Sequence, residues 1–282
     1  MNKRFSGVVV PMITPLNDDF TVDVEAVKRI IHLFSKYNIH PLVLGTTGES
    51  TSINETESLR LVEAANSAKQ ANQCLYVGLV GNQVNDLILR GNSYINAGAD
   101  CVVATLPSYY VLNNDQMILF YETLANKLSG PLMVYNITAT THMSIPLEVI
   151  EKLAQHNNIW GLKDSERDAN RMQTLINTYK HTKGFSYFCG WGAKSFESLQ
   201  FGADGIVPST GNYVPDMYFK LYEAAKQNQW DVVEHWQSET DNVARLYQKD
   251  KTLGESLAVL KALMNEKNLC NKTMMPPLTA IS

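Results

Sequence analysis

Residues 131–164, PLMVYNITATTHMSIPLEVIEKLAQHNNIWGLKD, decide the fold class because they contain one complete strand–helix–strand unit. Residues 131–136 and 158–164 are short runs that are nearly all apolar. Between them, residues 145–156 place apolar side chains at helical spacing, and Pro146 suits a first helical turn. Two apolar strands joined by a helix are typical of a parallel sheet that is covered on both faces.

The same alternation continues along the chain in both directions. The eight apolar runs are residues 7–13, 41–45, 74–80, 101–106, 131–136, 158–164, 186–190 and 205–209. The clearest helical runs between them are residues 23–38, 54–71, 113–128 and 145–156. Eight strand–helix units in about 225 residues predict a closed (β/α)8 barrel, the TIM barrel. A doubly wound sheet is the weaker alternative, since TPLNDD follows the first strand in place of a glycine-rich turn.

The last part of the chain has a different pattern. After Gly211 it is purely helical, over residues 216–228, 230–249 and 253–267. We therefore predict a catalytic barrel domain at residues 1–225 and a short C-terminal helical extension at residues 226–282.

The composition favours a soluble globular enzyme. The 282 residues are 45% hydrophobic and 18% charged, with a formal net charge of −4. No cluster of Lys and Arg stands out, so nucleic acid and anionic membranes are poor partners. The apolar run near the N-terminus stops at Pro11, too soon for a signal peptide, and no run is long enough to span a membrane. These features predict a cytoplasmic protein.

The carboxyl ends of the strands are where a TIM barrel carries its active site. The polar residues at those ends are Thr14, Thr46, Thr47, Glu49, Tyr109, Tyr110, Tyr135, Asn136, Lys163, Ser209 and Thr210. The set has one inward lysine and several hydroxyls but no cluster of carboxylates or histidines. It predicts that there is no metal site and no cofactor, and it favours an amine nucleophile.

Lys163 is the residue on which the functional prediction depends. A lysine that ends a strand is often a surface charge whose amine reaches water. Here, however, Tyr135 ends the neighbouring strand, so the two side chains can meet about 5 Å apart. Gly161 faces the same side and leaves room inside the barrel. Removing water from the amine favours its neutral form, which can attack a ketone carbon and give an imine.

Imine chemistry also needs a group that moves protons. Tyr135 is well placed for this role, and Thr47 and Tyr110 can extend the relay. The alternatives are that Tyr135 only fills the barrel and that Thr47 only caps the helix at residue 54. GTTGES, residues 45–50, is either an ordinary glycine turn or a cradle of N–H groups and hydroxyls for a small carboxylate.

Five motifs in a fixed order carry a resemblance to a known family. GTTGES, PSYY, YN, GLKDS and GADGIVPSTGN together resemble the dihydrodipicolinate synthase/N-acetylneuraminate lyase family over essentially the whole chain. The resemblance implies a class I pyruvate-dependent aldolase or lyase on a (β/α)8 barrel. It also implies a homotetramer built as a dimer of dimers.

The resemblance further implies roles for individual residues. Lys163 corresponds to the Schiff-base lysine and Tyr135 to the acid–base tyrosine. Thr46 and Thr47 would hold the pyruvate carboxylate, and Tyr110 would reach across the tight-dimer interface. Two further positions, Ile206 and Gly190, fall where the family lines its pyruvate pocket.

Departures from the family pattern bear on the substrate. Dihydrodipicolinate synthases typically continue as YN-x-P-x-R-T-G, whereas this chain has Thr140 in place of the arginine and His142 in place of the glycine. The carboxylate of aspartate semialdehyde therefore loses its guanidinium partner. Sialic acid lyases usually offer acidic residues where this chain has Gly192 and Ala193.

A small hydroxylated substrate suits the hydroxyl-rich segment, with Thr140 and His142 as hydrogen-bonding residues. The alternative for His142 is that it caps or packs the next helix. We predict reversible aldol chemistry between pyruvate and a small aldehyde, with 2-keto-3-deoxy acids as substrates. Dihydrodipicolinate synthase and a dehydratase of a related keto acid are alternatives within the same chemistry. A non-catalytic protein that binds a keto acid is the alternative from another class.

Overall fold

Eight parallel strands form a closed barrel in which each strand pairs with the next and β8 returns to β1. The computed structural model describes residues 3–281. The strands are β1 Gly7–Pro11, β2 His40–Val43, β3 Tyr76–Leu79, β4 Cys101–Thr105, β5 Leu132–Asn136, β6 Ile159–Asp164, β7 Ser186–Cys189 and β8 Gly205–Ile206. The predicted TIM barrel is confirmed.

Helices separate the strands and surround the barrel. Residues 3–281 contain α1 Val24–Ser35, α2 Glu55–Ala68, α3 Val84–Asn96, α4 Asn114–Lys127, α5 Thr138–Thr141, α6 Leu147–Leu153, α7 Ala169–Tyr179, α8 Ser195–Phe201, α9 Pro215–Lys226, α10 Trp230–Gln248 and α11 Leu253–Glu266. Side-chain caps set several of the starts, such as Asp23, which accepts from the Ala26 N–H. Within the described part of the chain, no helix is long and apolar enough to cross a membrane.

The strands separate two apolar layers. Side chains that point into the barrel form one cluster, which includes Val9, Tyr76, Met133 and Phe188. The alternate side chains pack against the helices in a larger cluster. This burial on both faces explains why the strands are continuous apolar runs rather than alternating ones.

The strand register places one layer of inward side chains at the carboxyl end of the barrel. Thr105 of β4 pairs with Tyr135 of β5, Tyr135 pairs with Lys163 of β6, and Lys163 pairs with Phe188 of β7. In a parallel sheet, paired residues face the same side. Thr105, Tyr135 and Lys163 therefore lie next to one another at the barrel mouth.

The C-terminal helices pack directly on the barrel. α9 runs through residue 225, the predicted domain boundary, and α10 packs against both α9 and α8. α11 carries Lys261, whose ammonium pairs with Glu49 in the loop after β2 at 2.5 Å. The division into two domains stays a prediction, but the extension reaches the mouth of the barrel.

Candidate active site

Lys163 and Tyr135 form the centre of the site. Lys163 is 3% exposed, and its Nζ lies 3.7 Å from the centroid of the Tyr135 ring. Gly161 allows β6 to lie close to β7, because a Cβ at this position would be only 2.4 Å from the Ser186 carbonyl oxygen of β7. The expectation that Gly161 leaves free space is therefore wrong, since the neighbouring backbone occupies that space.

The charge on Lys163 changes the acidity of Tyr135. Burial alone would raise the pKa of Tyr135, but the nearby Lys163 charge opposes it. Hydrogen bonds with Thr46, Lys163 and Ser165 add to that opposition, so the net result is a pKa below the usual value. Among residues 3–281, Lys163 forms no ion pair with a carboxylate. The phenol is thus the acidic partner of this amine.

The GTTGES turn lies over the pair. Thr46 Oγ1 is 3.5 Å from the Tyr135 hydroxyl, and Thr47 is buried beside it in the turn. Asn54 caps α2 by accepting from the Glu57 N–H, so the alternative that Thr47 caps this helix is wrong. Thr14 anchors the turn by donating to the Gly48 carbonyl at 2.6 Å.

Buried polar contacts hold the ends of β5 and β6 from outside the barrel. Asn136 donates to both Asp164 and Glu166 at 2.8 Å, and Arg171 Nε donates to Asp164 at 2.9 Å. Burial raises the pKa of Asp164, although Arg171 and the hydrogen bonds lower it in part. Glu166 also accepts from Ser144 at 2.6 Å, which ties the segment after β5 to this network. These residues position the backbone on which Tyr135 and Lys163 are mounted.

A cavity of about 560 Å³ opens at the carboxyl end of the barrel. Lys163 and Tyr135 do not line it, but Thr46, whose Oγ1 is 3.5 Å from the Tyr135 hydroxyl, does. Thr46 and Thr105 line its inner end, and Thr140 lines its side. Its outer end is lined by Leu253 and Leu257 of α11, together with other residues of the extension. Thr105 and the extension were not predicted as site residues. No motif marks them, and only the strand register and the path of the tail reveal them.

Nearly the whole chain matches a family model. Residues 4–282 match the dihydrodipicolinate synthetase family. The chain belongs to this family.

Two curated relatives and one solved structure illustrate the similarity. A probable 2-dehydro-3-deoxy-D-pentonate aldolase, YjhH, of Escherichia coli K12 is 28% identical, over 80% of this chain and 76% of its own length. A 4-hydroxy-tetrahydrodipicolinate synthase of Macrococcus caseolyticus is 27% identical, over 81% and 76%. The structure of dihydrodipicolinate synthase from Bacteroides thetaiotaomicron aligns with a TM-score of 0.93 and 27% identity, over 100% of this chain and 95% of the other.

Membership of the dihydrodipicolinate synthetase family gives the class of activity. The chain is a pyruvate-dependent lyase of the class I aldolase type, as predicted. Its substrates are small molecules, a keto acid and an aldehyde.

The two residues predicted to line the pyruvate pocket, Gly190 and Ile206, have different surroundings in the structure. A Cβ at Gly190 would lie 2.1 Å from Ser165 Oγ, so the glycine leaves space for the Ser165 hydroxyl. This hydroxyl is one of the hydrogen-bonding groups that lower the pKa of Tyr135. Ser165 was not predicted, although it stands in the GLKDS motif. Ile206 packs in the outer layer, whereas its neighbour Val207 joins the inner cluster. The Ile206 side chain therefore faces away from the barrel interior, because side chains alternate along β8, and its place in the pyruvate pocket stays a prediction.

The two candidate binding residues after β5, Thr140 and His142, have different positions in the structure. Thr140 lines the cavity, as a substrate-binding role requires. His142 is exposed and has φ of +57°, and it closes α5 by donating its N–H to the Thr138 carbonyl. His142 thus ends the preceding helix α5, whereas the alternative was that it caps or packs the next helix, and its role in substrate binding stays a prediction. The left-handed φ suits the glycine that the family pattern has there.

Tyr110 does not reach the site of its own chain. Its side chain is 74% exposed and contacts Tyr109 edge-on, with ring centroids 4.9 Å apart. A relay through Tyr110 would therefore need a second copy of the chain. Within the described residues, no group of three or more His, Cys, Asp or Glu side chains could hold a metal ion. The absence of a cofactor stays a prediction.

Proposed function

We propose that this chain makes and breaks the carbon–carbon bond between pyruvate and a small aldehyde, with 2-keto-3-deoxy acids as its substrates. The observation that carries the proposal is the position of Lys163, buried at the barrel mouth with Nζ 3.7 Å from the Tyr135 ring centroid. A buried lysine that serves only structure is normally paired with a carboxylate. An inward lysine that has a phenol instead is arranged for reaction.

The turn after β2 would hold the carboxylate of the keto acid. The backbone N–H groups of Thr46 and Thr47 donate to no acceptor within residues 3–281, and both side chains bear hydroxyls. Such a turn suits a small anion. It would orient the keto carbon toward Lys163.

Imine formation then follows from the Lys163–Tyr135 pair. The neutral amine of Lys163 attacks the keto carbon, and a proton reaches the developing oxygen through Tyr135. Loss of water from the carbinolamine leaves a protonated imine. The lowered pKa of Tyr135 supports this role, because a phenol whose pKa lies closer to neutral pH is better matched to both donating and accepting a proton there.

Cleavage uses the imine as an electron acceptor. The hydroxyl on C4 gives its proton to the Tyr135 oxygen, the C3–C4 bond breaks, and its electron pair moves toward the imine nitrogen. The aldehyde leaves, the resulting enamine takes a proton at C3, and water releases pyruvate from Lys163. Every step uses groups of the chain and the substrate, so we propose that no metal or cofactor takes part.

Dihydrodipicolinate synthase is the second candidate, because a solved enzyme of that name aligns over the whole chain. It would need a partner for the carboxylate of aspartate semialdehyde, and Thr140 lines the cavity where the family has arginine. Dehydration of a related keto acid needs the same imine and is a third outcome. A coupled assay that compares aspartate semialdehyde with sugar aldehydes separates these reactions. Much faster turnover of aspartate semialdehyde would reject our choice.

We also propose that the chain forms a cytoplasmic homotetramer. Tyr109, Tyr110 and Val111 are consecutive exposed residues, and such an apolar surface is typical of an interface between subunits. Tyr110 would then complete the site of a neighbouring copy. Sedimentation of the wild-type chain and of Tyr110→Asp tests this assembly, and an unchanged tetramer with full activity in the variant would contradict it.

Borohydride trapping is the decisive test of the imine. The protein is incubated with pyruvate, reduced, digested and analysed by mass spectrometry. We expect one adduct, on the peptide that contains Lys163, and none in Lys163→Met. Failure to trap pyruvate or any other 2-keto acid would instead support the non-catalytic binding protein.

A further inference from the structure

The cavity that Thr46 and Thr105 line at the barrel mouth has two chemically different walls. One wall comes from barrel loops and bears uncharged polar groups, including Ser50, Asn82 and Thr140. The opposite wall comes from the C-terminal extension and is apolar, with Leu253, Leu257 and Leu278. A molecule that fills both sides must have hydroxyls on one side and hydrocarbon at its far end.

The cavity offers no cation to a charged substrate tail. Glu49 is the one ionisable residue among the described lining residues, and it is already paired with Lys261 at 2.5 Å. Its second oxygen accepts from the Met275 N–H at 2.8 Å. A carboxylate on the tail would lose water here without gaining a counter-ion, which is unfavourable.

Thr105 is an independent sign of an oxygen ligand at the inner end. It is 2% exposed, it lines the cavity, and its Oγ1 has no hydrogen-bond partner within residues 3–281. Buried hydroxyls normally have a partner. Thr105 pairs with Tyr135 across the sheet, so it lies on the same face of the barrel wall as the residue that moves the proton.

We propose that the substrate tail is uncharged, with an oxygen on C4 bound by Thr105 and a methyl-terminated end against Leu253, Leu257 and Leu278. This inference rests on the proposed aldol function and specifies its substrate class. In cleavage, the C4 hydroxyl gives its proton to Tyr135 and becomes the aldehyde oxygen as the C3–C4 bond breaks. The Thr105 hydroxyl donates to this oxygen throughout, first to a lone pair of the C4 hydroxyl, whose own proton goes to Tyr135, and then to the aldehyde oxygen.

Lactaldehyde and glyceraldehyde form a matched pair of acceptors for the far end, since they differ only by the terminal hydroxyl. In the condensation with pyruvate, we expect a kcat/KM for lactaldehyde roughly 10-fold above that for glyceraldehyde. Succinic semialdehyde, which has a carboxylate, should be the poorest of the three. Equal values for the pair, or a preference for the semialdehyde, would overturn the inference.

Variants assign this preference to the extension. Leu253→Ser and Leu278→Ser change partly exposed positions, so folding should survive. Each variant should reduce the ratio of kcat/KM for lactaldehyde to kcat/KM for glyceraldehyde, mainly because the KM for lactaldehyde rises. Leu246→Ser, an exposed leucine on α10, is the matched control and should keep the ratio. A ratio that changes equally in all three variants would contradict the assignment.

Thr105 is tested by an isosteric change. Thr105→Val removes the hydroxyl and keeps the shape, and we expect kcat/KM for every aldehyde to fall by roughly 10–100-fold. Thr105→Ser should restore most of it, which a purely structural role would not predict. Borohydride trapping of pyruvate by the wild-type chain separates the two proposals. Trapping without these aldehyde effects rejects only this inference, whereas no trapping rejects the aldol function itself.

Discussion

Two buried lysines, Lys163 in the barrel and Lys261 in the extension, differ in what surrounds the amine. Lys261 is paired with Glu49 and also donates to the Thr273 carbonyl at 2.7 Å. Burial lowers the pKa of Lys261, and Glu49 opposes that shift. Lys163 has the aromatic ring and the phenol hydroxyl of Tyr135 nearby instead of a carboxylate.

The difference separates a structural lysine from a reactive one. A carboxylate partner stabilises the ammonium and keeps its proton in place. A phenol of lowered pKa can exchange a proton with the amine or with a substrate. Burial by itself therefore does not identify a nucleophile, and the identity of the partner does.

Replacement of each lysine by methionine is the most direct way to break this comparison. For Lys163→Met we expect kcat/KM to fall by roughly 10⁴-fold or more, because the covalent step is lost. The free energy of unfolding should stay the same or rise, since an apolar side chain of similar length replaces a buried amine. Steady-state kinetics and urea denaturation measure the two effects. Lys183→Met, at an exposed position, serves as the control.

Lys261→Met should have the opposite profile. It leaves the Glu49 carboxylate buried without its counter-ion, and we expect the free energy of unfolding to fall by about 3–5 kcal/mol. Pairing it with Glu49→Gln in a double variant should recover part of this loss. A single variant as stable as the wild type would show that the ion pair does not hold the extension to the loop.

The smallest effect expected is on the ionisation of Tyr135. In Lys163→Met its pKa should rise, because burial is then opposed only by the Thr46 and Ser165 hydrogen bonds. Tyrosinate absorbance against pH, corrected with Tyr135→Phe, measures the change, and Lys261→Met should leave it unaltered.

The same group makes stability depend on pH. The folded pKa of Tyr135 lies below its ordinary value of 10.0, so the unfolded chain binds more protons between the two values. The contribution of Tyr135 to the free energy of unfolding should therefore increase as the pH rises from its folded pKa to its unfolded pKa. Lys163→Met should remove the gain, and an unchanged slope would argue against coupling between the two groups.

The sequence predicted the barrel and its central pair for a clear physical reason. Strands buried on both faces are continuous apolar runs, so the position of most carboxyl ends could be read directly from the sequence. Tyr135 and Lys163 end neighbouring runs, and their pairing in the structure follows the predicted order. The clearest helical runs were also correct to within a few residues at each end, and residues 145–156, for example, contain the helix Leu147–Leu153.

Other parts of the site depend on distances that a local pattern does not contain. β8 contains only Gly205 and Ile206, so the run GIVP has no alternation from which to choose between Ile206 and Val207. Thr105 looks like one more residue of an apolar strand until the register places it beside Tyr135. The apolar wall of the cavity is formed by Leu253, Leu257 and Leu278, which are far from the other lining residues in sequence. Only tertiary packing brings them to the mouth of the barrel.

The path of the tail has a practical consequence for engineering. Met275 donates to the Glu49 carboxylate, and Pro277 and Leu278 border the cavity, so bulk introduced next to these residues would crowd the substrate entrance. Lys3 instead contacts Asp204 and the Phe185 carbonyl, just before β8 and β7 begin, on the opposite side of the barrel. Labels and immobilising linkers therefore belong on the side of the barrel where Lys3 lies.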